Sequence, residues 1–268
     1  MSDGSSAKPK VALVTGAAKR IGRVIALEMA RQGWDIIVHY GQSGAEAELT
    51  VAEIRQLGRQ ATALACDLAD SQAVSQLAAQ AAACFGGLDC IVNSAALFIE
   101  DQAQDIGQAL LDQHMHVNLL APLLLAQGLH QLTAAGQQAV VVNILDQKLH
   151  NLNPDYLSYT LSKAALETAT TMLAQAFAPR LRIVGVAPGI TLLSGEQSEA
   201  DFSSAHQITP LGKSSTPADV AATVCFVASQ GAITGTTILV DGGQHLIPTQ
   251  RDVMFLATAK ATPSTSTL

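Results

Sequence analysis

The sequence predicts one α/β domain built on a parallel sheet with helices packed on both faces. Three observations predict it. Short β-branched runs alternate with helical spacings at least six times along the 268 residues. Those runs are almost wholly apolar, and strands of that kind are buried on both faces. No linker, low-complexity block or repeat divides the chain, and its length suits a single large domain.

The elements follow in order. The run 11–15 is strand-like and ends at Gly16, and Ile21, Val24, Ile25, Leu27 and Ala30 give 21–32 helical spacing up to Gly33. Strand 35–40 precedes helix 44–57, which stops at Gly58. Strand 61–66 precedes helix 71–85, which stops at Gly86 and Gly87. Strand 88–93 follows, then one or two helices within 105–135. Strand 138–144, helix 156–178, strand 181–187, helix 216–229 and strand 236–240 complete the alternation. The domain is expected over 10–247, with a disordered tail at 1–9 and a C-terminal tail at 248–268, mobile from Thr258 onward.

Composition narrows the function. Hydrophobic residues make up 49% and charged residues 14%, which excludes a charge-rich disordered protein. The net charge of −7 and the lack of a long basic run argue against nucleic acid or an anionic membrane surface as partner. No apolar run reaches the roughly 18 residues a membrane span needs. Cys66, Cys84, Cys90 and Cys225 stand apart with no CxxC, and read as reduced core residues of a cytoplasmic protein. His114, His116 and His150 lack metal-like spacing and read as surface or supporting residues; no metal is expected.

Ligands of such sheets bind beyond the carboxyl ends of the strands. The turn Thr15-Gly16-Ala17-Ala18-Lys19-Arg20-Ile21-Gly22 lies between the first strand and helix. Gly16 permits the tight turn, Gly22 permits close approach, and the backbone N–H groups at the start of the helix suit a pyrophosphate. An acid after the second strand would bind a free ribose 2′-hydroxyl. Here the run is His39-Tyr40-Gly41-Gln42-Ser43. Lys19, Arg20, His39 and Ser43 therefore favour NADP(H). Asp67 and Leu68 follow the third strand and cap the adenine side. Asn93, Ser94 and Ala95 follow the fourth and let the cofactor pass.

Tyr159 and Lys163 form a YxxxK pair on one helix face. A neighbouring ammonium is expected to lower the phenol pKa and make Tyr159 a usable acid. Asp146 stands 13 residues before Tyr159, just past an apolar strand, either facing the cofactor or capping a loop. Asn118 is either a catalytic residue or a core polar residue.

Taken together, these residues resemble the short-chain dehydrogenase/reductase family over about residues 8–247. The matches run in order: Thr15-Gly16 to Gly22, Asp67-Leu68, Asn93-Ser94-Ala95, Asn118, Tyr159 to Lys163, Pro188-Gly189 and Val240-Asp241-Gly242-Gly243. The resemblance implies a Rossmann-type, seven-stranded doubly wound sheet, a nicotinamide cofactor and a homotetramer or homodimer. It also implies that Lys163 holds the nicotinamide ribose, and that Asn118 helps place Lys163. Two departures point to the pteridine reductase and dihydromonapterin reductase branch: Arg20 stands where the family usually has a glycine, and Asp146 where it has the catalytic serine. In that branch Phe98 falls where an aromatic residue stacks on the pterin. Gly41-Gln42 and Ala96 depart from the branch, which often has Arg and Ser there.

The expected activity is therefore hydride transfer from NADPH to a pterin- or folate-type ring. Tyr159 is the proton donor, and Arg20, Phe98 and Asp146 contact the substrate. The alternatives are a reductase of a ketone, sugar or acyl thioester and a non-enzymatic NADP-binding sensor. The polar segment 191–207 is the expected substrate lid.

Overall fold

The computed structural model describes residues 9–192, 206, 209–252 and 255. Its strands are β1 (Val11–Val14), β2 (Asp35–Tyr40), β3 (Ala61–Ala65), β4 (Cys90–Asn93), β5 (Ala139–Ile144), β6 (Leu181–Pro188) and β7 (Thr237–Val240). They form one parallel sheet in the order β3-β2-β1-β4-β5-β6-β7. Every residue of β1, β4, β5 and β6 is buried. That explains why these strands carry no polar face in the sequence: both sides meet helices.

The helices are α1 (Arg20–Arg31), α2 (Gly44–Gln56), α3 (Ser71–Phe85), α4 (Gln108–Met115), α5 (Ala121–Leu132), α6 (Leu157–Phe177) and α7 (Pro217–Ser229). One core lies under α1, α2 and α7 and is built on Val14, Ile25, Ile36, Val92 and Val224. The other lies under α3, α5 and α6 and is built on Leu13, Leu77, Ile91, Leu125 and Ile183. The strand order reverses between β1 and β4, which opens a crevice beyond their carboxyl ends. Between α4 and α5 the chain widens into a π turn, His116–Leu120, with Asn118 at its centre. Such turns often mark functional positions.

Two expectations need correction. Cys84 is exposed and Cys66 partly so, leaving only Cys90 and Cys225 in the core. The C-terminal boundary also lies later than 247. Asn151 donates to the Ile247 carbonyl at 2.7 Å, Arg251 pairs with Asp155 at 2.9 Å, and Asp252 with Lys148 at 2.8 Å. These contacts fasten residues up to Asp252 to the domain. Most of the expected lid lies outside the described residues. No helix among the described residues is long and apolar enough to cross a membrane.

Candidate active site

A cleft of about 640 Å³ opens at the reversal of strand order. One end is the turn between β1 and α1. A Cβ on Gly22 would lie 2.4 Å from the Gly16 carbonyl oxygen, and a Cβ on Gly16 would lie 3.0 Å from Ala95 Cα. Gly16 also has φ +64. Only glycine fits at either place, so the backbone of the two loops comes close together at this end. Thr15 Oγ1 accepts the N–H groups of Ser94 and Ala95, both at 3.0 Å, and so joins the two loops. No side chain caps the start of α1. Its first N–H groups, beside the cations Lys19 and Arg20, suit a pyrophosphate. The residues present therefore fit a dinucleotide.

The other end holds the chemistry. Tyr159 Oη donates to Asp146 Oδ2 at 2.9 Å. Asp146 Oδ1 accepts the Lys148 N–H at 2.8 Å, capping the short turn Gln147–His150. The carboxylate thus lines the cleft and caps the loop as well. Lys163 Nζ donates to the Ile144 carbonyl at 2.7 Å and lies 5.9 Å from the centre of the Tyr159 ring. Burial raises the Asp146 carboxyl above its usual range and lowers the Lys163 ammonium to about 8. The expected lowering of the Tyr159 pKa by Lys163 is not found. Burial and the neighbouring Asp146 push this phenol well up, so Tyr159 holds its proton firmly until a base reaches it.

Phe98 lies in the same cleft, stacked on Tyr156 at 4.3 Å and edge-on to Tyr159 at 4.7 Å. Tyr156, which has no partner in the YxxxK spacing, is the aromatic support of Phe98. Asn118 accepts the Leu97 N–H at 2.8 Å, and donates to the Leu97 carbonyl at 2.9 Å and to Ser162 Oγ at 3.0 Å. Its side chain thereby ties the loop bearing Phe98 to the helix bearing Tyr159 and Lys163. His114 is buried rather than superficial; its Nδ1–H donates to the Leu110 carbonyl at 3.0 Å, and its ring lies edge-on to Tyr159 at 6.4 Å.

Gly16, Lys19, Arg20, Ile21, Gly22, Ser94, Ala95, Pro188 and Gly189 line the cleft. His39 does not. It is buried, its Nδ1 accepts the Gly16 N–H at 3.1 Å, and its Nε2–H donates to the Cys66 carbonyl at 3.1 Å. Both nitrogens point into the protein, so His39 braces the glycine turn and offers the cofactor no donor. Lys19 is already paired with Glu46 at 2.7 Å. Tyr40 packs against the core, Asp67 accepts the Ala69 N–H at 2.9 Å in its own turn, and Leu68 is buried. Ser43 lies just before α2 and caps it with no side-chain bond. Asn93 donates to Asn143 across the sheet at 2.8 Å, which makes it a sheet residue.

Gln147, Gln244 and Asp252 also line the cleft, and sequence reasoning did not single them out. Gln244 had a local signal. Asp241 Oδ1 accepts the Gly243 N–H at 3.0 Å and Oδ2 the His245 N–H at 2.8 Å. That turn sets Gln244 Oε1 to accept the Ile190 N–H at 3.1 Å. Asp252 had none, because its ion partner Lys148 is 104 residues away.

A glycine turn at the reversal of a parallel sheet, with Tyr, Lys and Asp at its far end, defines a nucleotide-dependent oxidoreductase. The chain belongs to the short-chain dehydrogenase/reductase family: residues 16–245 match the family described as enoyl-(acyl carrier protein) reductase. It is 32% identical over 247 residues to an uncharacterized oxidoreductase of Methylorubrum extorquens, covering 89% of this chain and 99% of that one. It is 30% identical over 242 residues to the 3-oxoacyl-[acyl-carrier-protein] reductase FabG of Staphylococcus aureus, covering 88% and 98%. Among solved structures it resembles FolM alternative dihydrofolate reductase 1 from Brucella canis, complexed with NADP. That match has a TM-score of 0.86 and 38% identity, and covers 91% of this chain and 96% of that one.

Proposed function

We propose that this oxidoreductase uses NADPH to reduce a pterin- or folate-type heterocycle. The observation that carries the reading is the Tyr159–Asp146 hydrogen bond of 2.9 Å. A carbonyl reductase is served by a hydroxyl at position 146, which donates to the substrate oxygen. A carboxyl group suits a ring with N–H donors and a basic nitrogen. The Brucella canis protein, a FolM alternative dihydrofolate reductase complexed with NADP, supports both substrate class and cofactor.

When bound, the nicotinamide supplies hydride to the carbon of a ring C=N bond. Tyr159 gives its proton to the nitrogen of that bond, so the product gains one C–H and one N–H. Asp146, with its raised pKa, carries a proton at a higher pH than an ordinary carboxyl group does. It returns a proton to the Tyr159 oxygen along the bond they share and takes up another from water in the cleft. Lys163 holds the nicotinamide ribose, and its ammonium steadies negative charge on Tyr159. Phe98 covers one face of the ring, and Arg20 donates to its polar edge. Asn118 keeps these groups in register by joining the Leu97 loop to α6.

NADPH is favoured over NADH because Arg20 borders the glycine turn and no acid stands at 41–45 after β2, while Glu46 beyond it is paired with Lys19. The homotetramer or homodimer that the family resemblance implies belongs to this proposal, as does a cytoplasmic location. A second reading, reduction of an acyl thioester or other carbonyl, is favoured by the Staphylococcus aureus relative. NADPH consumption with dihydrobiopterin, dihydrofolate and a diketone panel separates the two readings. Turnover of the diketones with none of the pteridines overturns the first.

A further inference from the structure

Directly after Asp146, the chain places a second polar side chain in the cleft that the reaction leaves unused. Gln147 lines the cleft and is only 9% exposed. Its Oε1 is buried and has no hydrogen-bond partner among the described residues. A buried amide oxygen without a donor carries a free-energy cost, and folded proteins rarely keep one. The backbone beneath it is fixed: Gln147 opens the turn that Asp146 caps through the Lys148 N–H at 2.8 Å. The same carboxylate holds Tyr159, so Gln147 and the proton donor are set from one anchor.

We propose that Gln147 is a specificity-determining residue whose side-chain amide reads a lactam edge, an N–H beside a C=O, on the substrate ring. The inference rests on the function proposed above and goes further by naming the group that selects the ring. A primary amide offers one acceptor and two donors. Its complement is a group offering both a donor and an acceptor, which a lactam does and a ketone or thioester does not. A carbonyl substrate would satisfy only the NH2 and leave Oε1 without a partner. The terminal torsion of glutamine is soft, so Oε1 turns to the cleft without disturbing the backbone.

Gln147→Met keeps the length of the side chain and removes its hydrogen bonding. Steady-state kinetics of the full chain with NADPH, using dihydrobiopterin and a diketone, test the inference. The variant is expected to raise KM for dihydrobiopterin about tenfold with kcat within about twofold, the size of one lost hydrogen bond. The preference for dihydrobiopterin over the diketone, as a ratio of kcat/KM, falls by the same factor. NADPH titration of the variant reports that it is folded. If wild type reduces dihydrobiopterin and Gln147→Met keeps both KM and preference, the inference fails and the proposed function stands. If wild type reduces only the diketone, the proposed function fails and the inference fails with it. An equal rise in KM for both substrates assigns Gln147 to the general shape of the cleft and also overturns the inference.

Discussion

Tyr159 and Asp146, 13 residues apart, share a hydrogen bond of 2.9 Å deep in the cleft. Burial lifts both pKa values and the carboxylate lifts the phenol further, while the hydrogen bond from Tyr159 draws the carboxyl back down. The pair therefore stores a proton that Tyr159 can deliver.

Tyr159→Phe removes that delivery and keeps the ring. Turnover is expected to fall by about 100- to 10,000-fold, the usual share of general acid catalysis. NADPH should bind as before. Steady-state rates and a fluorescence titration check the two halves of the statement, and a variant retaining more than a tenth of its turnover contradicts it.

Lys163 provides a pH signature. Its ammonium is lowered to about 8, so it loses its charge as pH rises through that value. NADPH affinity should be greatest below pH 8 and weaken above it. Lys163→Met should bind NADPH more weakly at neutral pH and lack this inflection. Isothermal titrations from pH 6.5 to about 9.5, spanning the lysine transition, measure both. A wild-type affinity flat across that range contradicts the role given to Lys163.

His39 governs stability rather than chemistry. Burial lowers its pKa to about 4, whereas the unfolded chain takes up a proton on this ring near pH 6.5. Below pH 6.5 protonation favours unfolding, and the stability contributed by the neutral ring is lost as pH falls towards 4. Between pH 7 and 5 the loss from this one residue is about 2 kcal/mol. Urea unfolding of His39→Asn should show a correspondingly shallower pH dependence than wild type. Equal slopes would mean that the buried ring is protonated in the native state.

The alternation of strands and helices was legible in the sequence because every strand is short, apolar and ended by a turn residue. Tyr159, Lys163 and Asp146 were legible as well: i, i+4 spacing fixes a helix face, and the end of an apolar strand fixes a sheet edge. The direction of His39 was not. All but the last residue of β2 are buried, so no alternation of polarity shows which way a histidine points. The docking of Asp252 and Arg251 was hidden for another reason. It depends on ion pairs with Lys148 and Asp155, and no local periodicity encodes contacts across about a hundred residues. Tyr156 reads as a decoy in the sequence because residue 160 is threonine and not lysine, and its stacking on Phe98 joins residues too far apart for local spacing to show.

Phe98 is 42% exposed although it is aromatic, and one face already rests on Tyr156. Phe98→Ala should weaken binding of the heterocycle by about 1–3 kcal/mol through lost burial and stacking. NADPH affinity should be unchanged. A KM for dihydrobiopterin equal to that of wild type places the ring elsewhere in the cleft.

Under the proposed function, Asp146 suits a nitrogen heterocycle rather than a carbonyl substrate. NADPH oxidation by wild type and Asp146→Ser, each given dihydrobiopterin and a diketone, tests it most directly. Wild type is expected to prefer the pterin, and Asp146→Ser to lose pterin turnover more than carbonyl turnover. Pterin turnover left intact by Asp146→Ser would reduce the carboxylate to a cap for the Gln147–His150 turn and contradict the assignment.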